Sequence, residues 1–277
     1  MTVKNDGKLT VGVPVYNGDS LIAEALGSLM DDQCKQLDIC VYDNASEDQT
    51  ARIVKNIIAE DGQQKISYHR HDQNIGAVAN FLYAVENCHS EYFAWRAYDD
   101  LSDADYFSVL KKKLDENPEA ILAAPKIITT RMGTSKKRAR PFRATSDNQF
   151  DLLKNSQAGW MYGLFRTRFL KQTIRSVHDQ YPFLWAWDHL ILFHAVLHGG
   201  IVGSNEAVFH QRLNNFAEKA SGGHSRKDRR AIVSAYYNYC SARIDETDFS
   251  AARRHLLRLA VMRHINRRVM RLRKLLF

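Results

Sequence analysis

Asp99 and Asp100 stand side by side just after residues 91–97 (Glu-Tyr-Phe-Ala-Trp-Arg-Ala), a run too apolar to lie on a surface and read as a buried strand. Adjacent carboxylates repel each other unless a cation or a hydrogen-bond donor is supplied, and hard divalent ions prefer oxygen ligands of this kind. A metal held there would grip a diphosphate. Two earlier strand-like runs end the same way. Residues 9–15 lead into Tyr16-Asn17-Gly18-Asp19, and residues 38–42 into Asp43-Asn44-Ala45-Ser46-Glu47-Asp48. Ligands of open parallel α/β sheets settle at the carboxyl ends of the strands, so three such ends converging make one acidic, polar cleft.

The elements that must position these ends follow from periodicity. Leu21, Ile22, Ala25, Leu26 and Leu29 recur at helical spacing over residues 20–30, with Asp19 or Ser20 as cap. Ile53, Val54, Ile57 and Ile58 do so over residues 49–60, with Ser46 or Asp48 as cap. Strand, helix, strand, helix is a parallel α/β pattern. A third strand is expected at 65–69, helices at 77–87 and 105–117, and another strand at 120–128. Residues 129–148 are polar and basic and read as a solvated loop or lid. Helices and short strands then alternate to about residue 210. Beyond a polar break at 217–228 the chain reads as helical.

Composition bounds the reading. A chain of 277 residues that is 45% hydrophobic buries a full core. Four cysteines without zinc-type spacing, and no signal-peptide pattern at the start, point to a reduced, cytosolic setting. No apolar run approaches the roughly 20 residues that span a bilayer. Of the net charge of +8, nine lysines and arginines with no acid fall in residues 253–277, which leaves the other 252 residues at −1. The body is near neutral and the tail basic. With no aromatic stacking platform or reader motif beside that charge, nucleic acid is not an expected partner.

Four motifs carry a resemblance. Val13-Pro-Val-Tyr-Asn17, Tyr42-Asp-Asn-Ala-Ser46 with Asp48 and Thr50, Asn74-Ile-Gly76 with Asn80, and Trp95-Arg-Ala-Tyr-Asp-Asp100 resemble, in order and spacing, family 2 glycosyltransferases of the GT-A fold. The resemblance covers about residues 8–215. It implies an α/β fold with a mostly parallel central sheet flanked by helices. It also implies a catalytic domain over 1–215, divided into a nucleotide-sugar half (8–128) and an acceptor half (129–215), followed by a helical extension over 216–277.

The resemblance also assigns roles. Asp43 accepts the imide N–H of a uracil or thymine ring, a task suited to an ionised carboxylate; closing an Asx-turn ahead of the next helix is its other reading. Pro14, Tyr16, Asn17, Asn44 and Ser46 line the nucleoside pocket, and Asn74, Gly76 and Asn80 lie under the sugar nucleotide, a plain turn with a helix cap being their other reading. Asp99 and Asp100 match the family's metal-binding acids, so Mg²⁺ or Mn²⁺ is implied. Ala97 and Tyr98 stand where many members carry a further acid, which leaves fewer protein ligands for the ion. Asp188 falls where the family has the base that takes a proton from the acceptor hydroxyl; a plain helix cap is its other reading. Trp160, Tyr162, Trp185 and Trp187 would stack on acceptor sugar rings, with core packing the default reading for any one of them and two of the four expected to touch ligand. His210 or Arg212 would neutralise phosphates, with Asn214 where relatives carry a histidine.

Leu257, Val261, Ile265, Val269, Leu272 and Leu276 fall on one helical face, with arginines and Lys274 flanking it. A basic amphipathic helix suits the anionic inner leaflet of a membrane; packing against its own domain or a partner subunit is the alternative. The expected protein is therefore a cytoplasmic, inverting, metal-dependent glycosyltransferase, peripheral at the inner face of the cell membrane. It would use a UDP- or dTDP-sugar donor and a glycan or lipid-linked acceptor, and a second copy of the chain stays open as a partner. The competing class is a GT-A scaffold that binds nucleotide or glycan without catalysis.

Overall fold

The computed structural model describes residues 7–62, 65–144, 148–213 and 225–270. The chain opens with three βα units: β1 (Leu9–Val15), α1 (Ile22–Met30), β2 (Leu37–Asp43), α2 (Thr50–Glu60), β3 (Ile66–Arg70) and α3 (Ala77–Glu86). Every residue of β1 is buried, the mark of a strand covered on both faces. Next come β4 (Tyr92–Trp95), β5 (Leu101–Ser102), α4 (Tyr106–Asp115), β6 (Leu122–Arg131), β7 (Lys137–Arg140) and α5 (Gln149–Asn155). A 3₁₀ turn (Ala158–Tyr162), β8 (Leu164–Arg166), α6 (Thr167–Gln180), α7 (Trp187–Leu197) and β9 (Ile201–Leu213) follow. Two helices, α8 (Arg226–Asp245) and α9 (Ala251–His264), and a π-helical turn (Ile265–Val269) end the described chain.

One sheet runs β3-β2-β1-β4-β8-β6-β9-β5, with β7 paired to β6. The β1/β2, β2/β3, β1/β4 and β6/β9 pairs are parallel. Val15 is in register with Asp43, and Asp43 with Arg70, so the polar ends of β1 and β2 share one edge. β6 and β9 join the two halves through a long parallel ladder, and a boundary at 128/129 falls inside β6.

Residues 129–148 are not a plain loop. β6 runs on to Arg131, and Lys137–Arg140 returns antiparallel to it as an exposed edge strand. Its lysine and arginines are the kind of charge that keeps an edge from pairing with another chain.

The C-terminal stripe faces inward. Leu257, Val261, Ile265 and Val269 are all buried and belong to the same core as Tyr236, Cys240 and Ile244 of α8. This face is therefore closed to a membrane, because the fold itself covers it; Leu272 and Leu276 lie outside the described residues. Among the described residues no helix is long and apolar enough to cross a bilayer.

Candidate functional site

The ends of β1 and β2 are tied together by short polar side chains. Ser46 Oγ accepts from Asn17 N at 2.9 Å, and Asn17 Oδ1 accepts from Glu47 N at 2.8 Å. Asp48 Oδ1 accepts from Thr50 N at 2.9 Å, and its Oδ2 accepts from Asp19 N at 3.0 Å. Asp48 thus caps α2 while pinning the β1–α1 turn. Asn17 and Ala45 take left-handed φ of 50° and 61° to make these turns. Gly18 is required by close approach: a Cβ there would sit 2.6 Å from Val15 Cγ2 and 2.7 Å from the Tyr98 ring.

Asp43 is fully buried at the end of β2. Its Oδ1 accepts from Ser46 N at 2.8 Å and Ser46 Oγ at 2.5 Å. Its Oδ2 accepts from Tyr68 Oη at 2.5 Å and Arg70 Nη1 at 2.7 Å. Burial pushes its pKa up, but the Ser46, Tyr68 and Arg70 hydrogen bonds outweigh that and hold it below the usual carboxylate value. All of the roughly four acceptor positions of a carboxylate are engaged. The Asx-turn is present, and an incoming base must replace one of these donors.

Asn44 reaches across to the β3–α3 loop. Its Nδ2 donates to Asn74 Oδ1 at 2.9 Å, and its Oδ1 accepts from Ile75 N at 2.8 Å. Gly76, at a φ of 88°, precedes α3, and its N–H donates to Asn74 Oδ1 at 2.8 Å. Buried Asn80 donates to Tyr42 O at 2.9 Å. Pro14, Tyr16, Asn44, Asn74 and Asn80 together line a cavity of about 220 Å³ that Tyr98 closes. The structure thus brings most of the expected nucleoside residues to one place.

Asp99 and Asp100 lie beside Arg212, across the sheet from residues more than a hundred positions away. Arg212 N donates to Asp100 Oδ1 at 2.7 Å, while its guanidinium donates to the Asp99 carbonyl and to Glu24. Burial, with the neighbouring Asp99 adding to it, pushes Asp100 up to about 7, and burial raises Asp99 as well. Two carboxylates disfavoured as anions, with hard oxygen donors, fit a divalent ion and diphosphate that would complete the charge balance. Among the described residues no group of three His, Cys, Asp or Glu side chains could hold a metal, so the fit is a partial shell. His210 pairs with Asp103 at 2.6 Å instead, and Asn214 lies outside the described residues.

Asp188 sits in the first turn of α7, following Ala186 in a left-handed conformation (φ 67°). Its Oδ1 accepts from His189 N at 2.8 Å. Asp188, Trp187 and Tyr162 line a cavity of about 310 Å³. Ala77 and Phe81 belong to this cavity and to the Pro14–Asn80 one, so the two adjoin. Tyr162 stacks on Phe209 at 4.7 Å. Trp160 corrects an expectation. It is fully buried against Phe142, lines neither cavity and is core, because the 3₁₀ turn points it away from Tyr162.

Sequence reasoning gave no role to several neighbours. Tyr68 and Arg70 meet Asp43 only through the β2/β3 register. Arg96 lies wholly buried under the acidic turn, bonded to Ser102 Oγ at 2.8 Å and over the Phe209 ring at 5.1 Å. Its place within the Trp95–Asp100 motif was the available signal. Gln211 reaches the Asp188 cavity from β9.

Comparison with known proteins follows the same lines. The fold matches S. aureus TarS 1–349, solved with UDP-GlcNAc, at a TM-score of 0.72 and 18% identity, over 94% of this chain and 73% of that one. It matches the mannosyltransferase PcManGT from Pyrobaculum calidifontis, solved with GDP-Man and Mn²⁺, at 0.55 and 14% identity, over 94% and 81%. These likenesses establish the GT-A fold. In sequence, 112 residues are 30% identical to the abequosyltransferase RfbV of Salmonella typhimurium, covering 40% of this chain and 33% of RfbV. A further 31% identity over 111 residues links it to the glycosyltransferase GlyA of Streptococcus pneumoniae, covering 40% and 16%. The matches span only 13% to 33% of the length of such curated relatives. Residues 10–186, well over half of the chain, match the profile of Glycosyl transferase family 2, and the protein belongs to that family.

Proposed function

We propose that the protein is an inverting glycosyltransferase that moves a sugar from a nucleotide-diphosphate donor, UDP- or dTDP-linked, to a hydroxyl of a glycan or lipid-linked acceptor in surface-polysaccharide synthesis. The observation that carries this reading is the shared wall. The cavity lined by Pro14, Asn44 and Asn80 adjoins the one holding Asp188 and Trp187 through Ala77 and Phe81. A donor in the first would present its anomeric carbon to a hydroxyl held in the second.

Asp99 and Asp100 would hold Mg²⁺ or Mn²⁺, which when bound stabilises the charge of a leaving diphosphate. Arg212 adds a fixed guanidinium beside them. Asp188 takes the proton of the attacking hydroxyl, and attack from the face opposite the diphosphate inverts the anomeric centre. Base recognition by Asp43 proceeds by exchange, with the Arg70 side chain, 40% exposed, giving up Oδ2 to the imide N–H. UDP-GlcNAc in TarS and the sugar in the name of RfbV support a hexosyl or deoxyhexosyl donor. The proposed setting is the cytoplasmic face of the cell membrane. Exposed Leu256, Leu259 and Met262 on the outer face of α9, with arginines around them, support it.

A panel of UDP- and dTDP-sugars with Mn²⁺ tests the reading by release of nucleoside diphosphate and by the anomeric configuration of the product. Release with inversion is expected for one donor. Binding of nucleotide with no release from any of them would make the protein a non-catalytic scaffold.

A further inference from the structure

A third cavity, of about 310 Å³, opens between α5 and the C-terminal helix α9 with its π-helical turn. Four cations line it, Lys154, Arg263, Arg267 and Arg268, and none of its lining residues is acidic. All four side chains are exposed. Among the described residues none pairs with a carboxylate, whereas Arg258 of α9 and Arg243 of neighbouring α8 do, with Asp245 and Glu246. Phe150, Leu153 and Ala260 make the apolar part of the lining.

Four like charges around one concavity repel, and among the described residues no carboxylate neutralises them. Two further groups record that field. Burial lowers the Arg140 pKa, with Arg138 and then Arg268 adding to it, and burial pushes His264 down to about 3, with His189 and then Arg268 adding to it. Buried, uncharged His264 forms part of the cavity wall, and its Nε2 lies 3.3 Å from Nδ1 of His189. His189 and Arg268 also line a neighbouring hollow of about 510 Å³ with Trp185, Trp187 and Asp188. The cationic cavity therefore communicates, through Arg268, with the side chain assigned as the base.

We infer that this cavity is a phosphate subsite for the acceptor: a phosphate or diphosphate group on the acceptor seats among Lys154, Arg263, Arg267 and Arg268 while the acceptor hydroxyl reaches Asp188. Guanidinium forks match phosphate oxygens in pairs, and lysine adds a point charge. The aromatic side chains of Trp185 and Trp187 between the two ends suit a sugar ring bridging them. The subsite rests on Asp188 being the acceptor base, as proposed above. It gives three of the arginines of the C-terminal segment, Arg263, Arg267 and Arg268, a place in a built cavity.

The test is calorimetric titration of inorganic pyrophosphate into the protein in saturating UDP, which occupies the donor pocket. Arg263→Glu/Arg267→Glu is compared with Lys55→Glu/Arg230→Glu, which makes the same change in net charge elsewhere. Pyrophosphate affinity is expected to fall at least tenfold in the first variant and less than twofold in the second, with UDP affinity unchanged in both. Equal affinity in the two variants, or no pyrophosphate binding to the wild type, overturns the subsite. A parallel arm uses vesicles of phosphatidylcholine with and without phosphatidylglycerol. Binding to the anionic vesicles without binding of pyrophosphate also overturns the subsite and gives these cations to a lipid surface. Failure of UDP to bind at all counts against the donor reading instead, and the pyrophosphate comparison still decides the subsite.

Discussion

The proposed donor side and the proposed acceptor side of the cleft are built by opposite means. Around Pro14–Asn80, short polar side chains are tied to neighbouring backbone: Ser46 to Asn17, Asn44 to Ile75, Asn80 to Tyr42. Around Asp188 the walls are aromatic and aliphatic, the indole N–H of Trp187 is buried without a partner, and the adjoining cations are unpaired. A loop network whose hydrogen bonds are already made is preorganised and recognises one invariant ligand part. A wall with unmade polar contacts leaves recognition to whatever binds there. The difference teaches that, under the proposed function, the nucleotide end would be a property of the fold, while acceptor choice would rest on the few side chains of α7, α9 and the 3₁₀ turn.

The sharpest break between the two sides is Asp188→Asn. Loss of a general base costs about 100- to 10,000-fold in turnover, yet no donor-side residue is hydrogen-bonded to Asp188. Transfer should collapse while calorimetry shows nucleotide affinity within twofold of wild type. Turnover retained within a few-fold would take the base away from Asp188 and reduce the acceptor side to a binding wall.

The same contrast governs what could be read from the sequence. The strand ends at Tyr16–Asp19 and Asp43–Asp48 were legible because turn and cap chemistry is local: Asp48 serves Thr50 two residues on, and Asp43 serves Ser46 three residues on. The Arg70–Asp43 and Arg212–Asp100 bonds were not legible, because each depends on strand register, the second across 112 positions. The basic hairpin over residues 129–140 hid as a loop because its strand is stabilised by pairing with β6, not by apolar alternation. In the tail, the spacing of Leu257, Val261, Ile265 and Val269 announced a buried stripe but not what buries it. The answer, α5, α7 and α8, is a tertiary fact.

Trp160 and Trp187 sharpen the comparison within the acceptor side, since they are the same residue type put to different use. Trp160 is fully buried, so Trp160→Ala should cost about 3–5 kcal/mol of stability. It should lower the melting temperature while leaving the acceptor KM of the surviving folded protein near wild type. Trp187 lines the Asp188 cavity, so Trp187→Phe should keep the fold and raise the acceptor KM several-fold. A KM effect from Trp160 larger than that from Trp187 would reverse the assignment of core and wall.

The smallest effect lies at the seam, where Asp100 faces Asp99, Arg96 and Arg212. Burial raises its folded pKa to about 7 from an ordinary 3.8, so between those values the native state binds a proton that the unfolded chain releases. Stability therefore falls as pH rises through that window, by at most about 1.4 kcal/mol per unit, and levels off above about pH 7. Asp100→Asn should flatten that slope and stabilise the metal-free protein at pH 8. With Asp100 as a ligand of the proposed ion, protons would compete with it for the carboxylate, so Mg²⁺-dependent nucleotide affinity should weaken by up to about tenfold per unit below pH 7 in the wild type. In Asp100→Asn that pH dependence should vanish along with most of the metal dependence. If both protein stability and metal-dependent binding are flat from pH 5 to 8 in the wild type, Asp100 is not a buried titrating ligand. The seam would then belong to the fully hydrogen-bonded donor side.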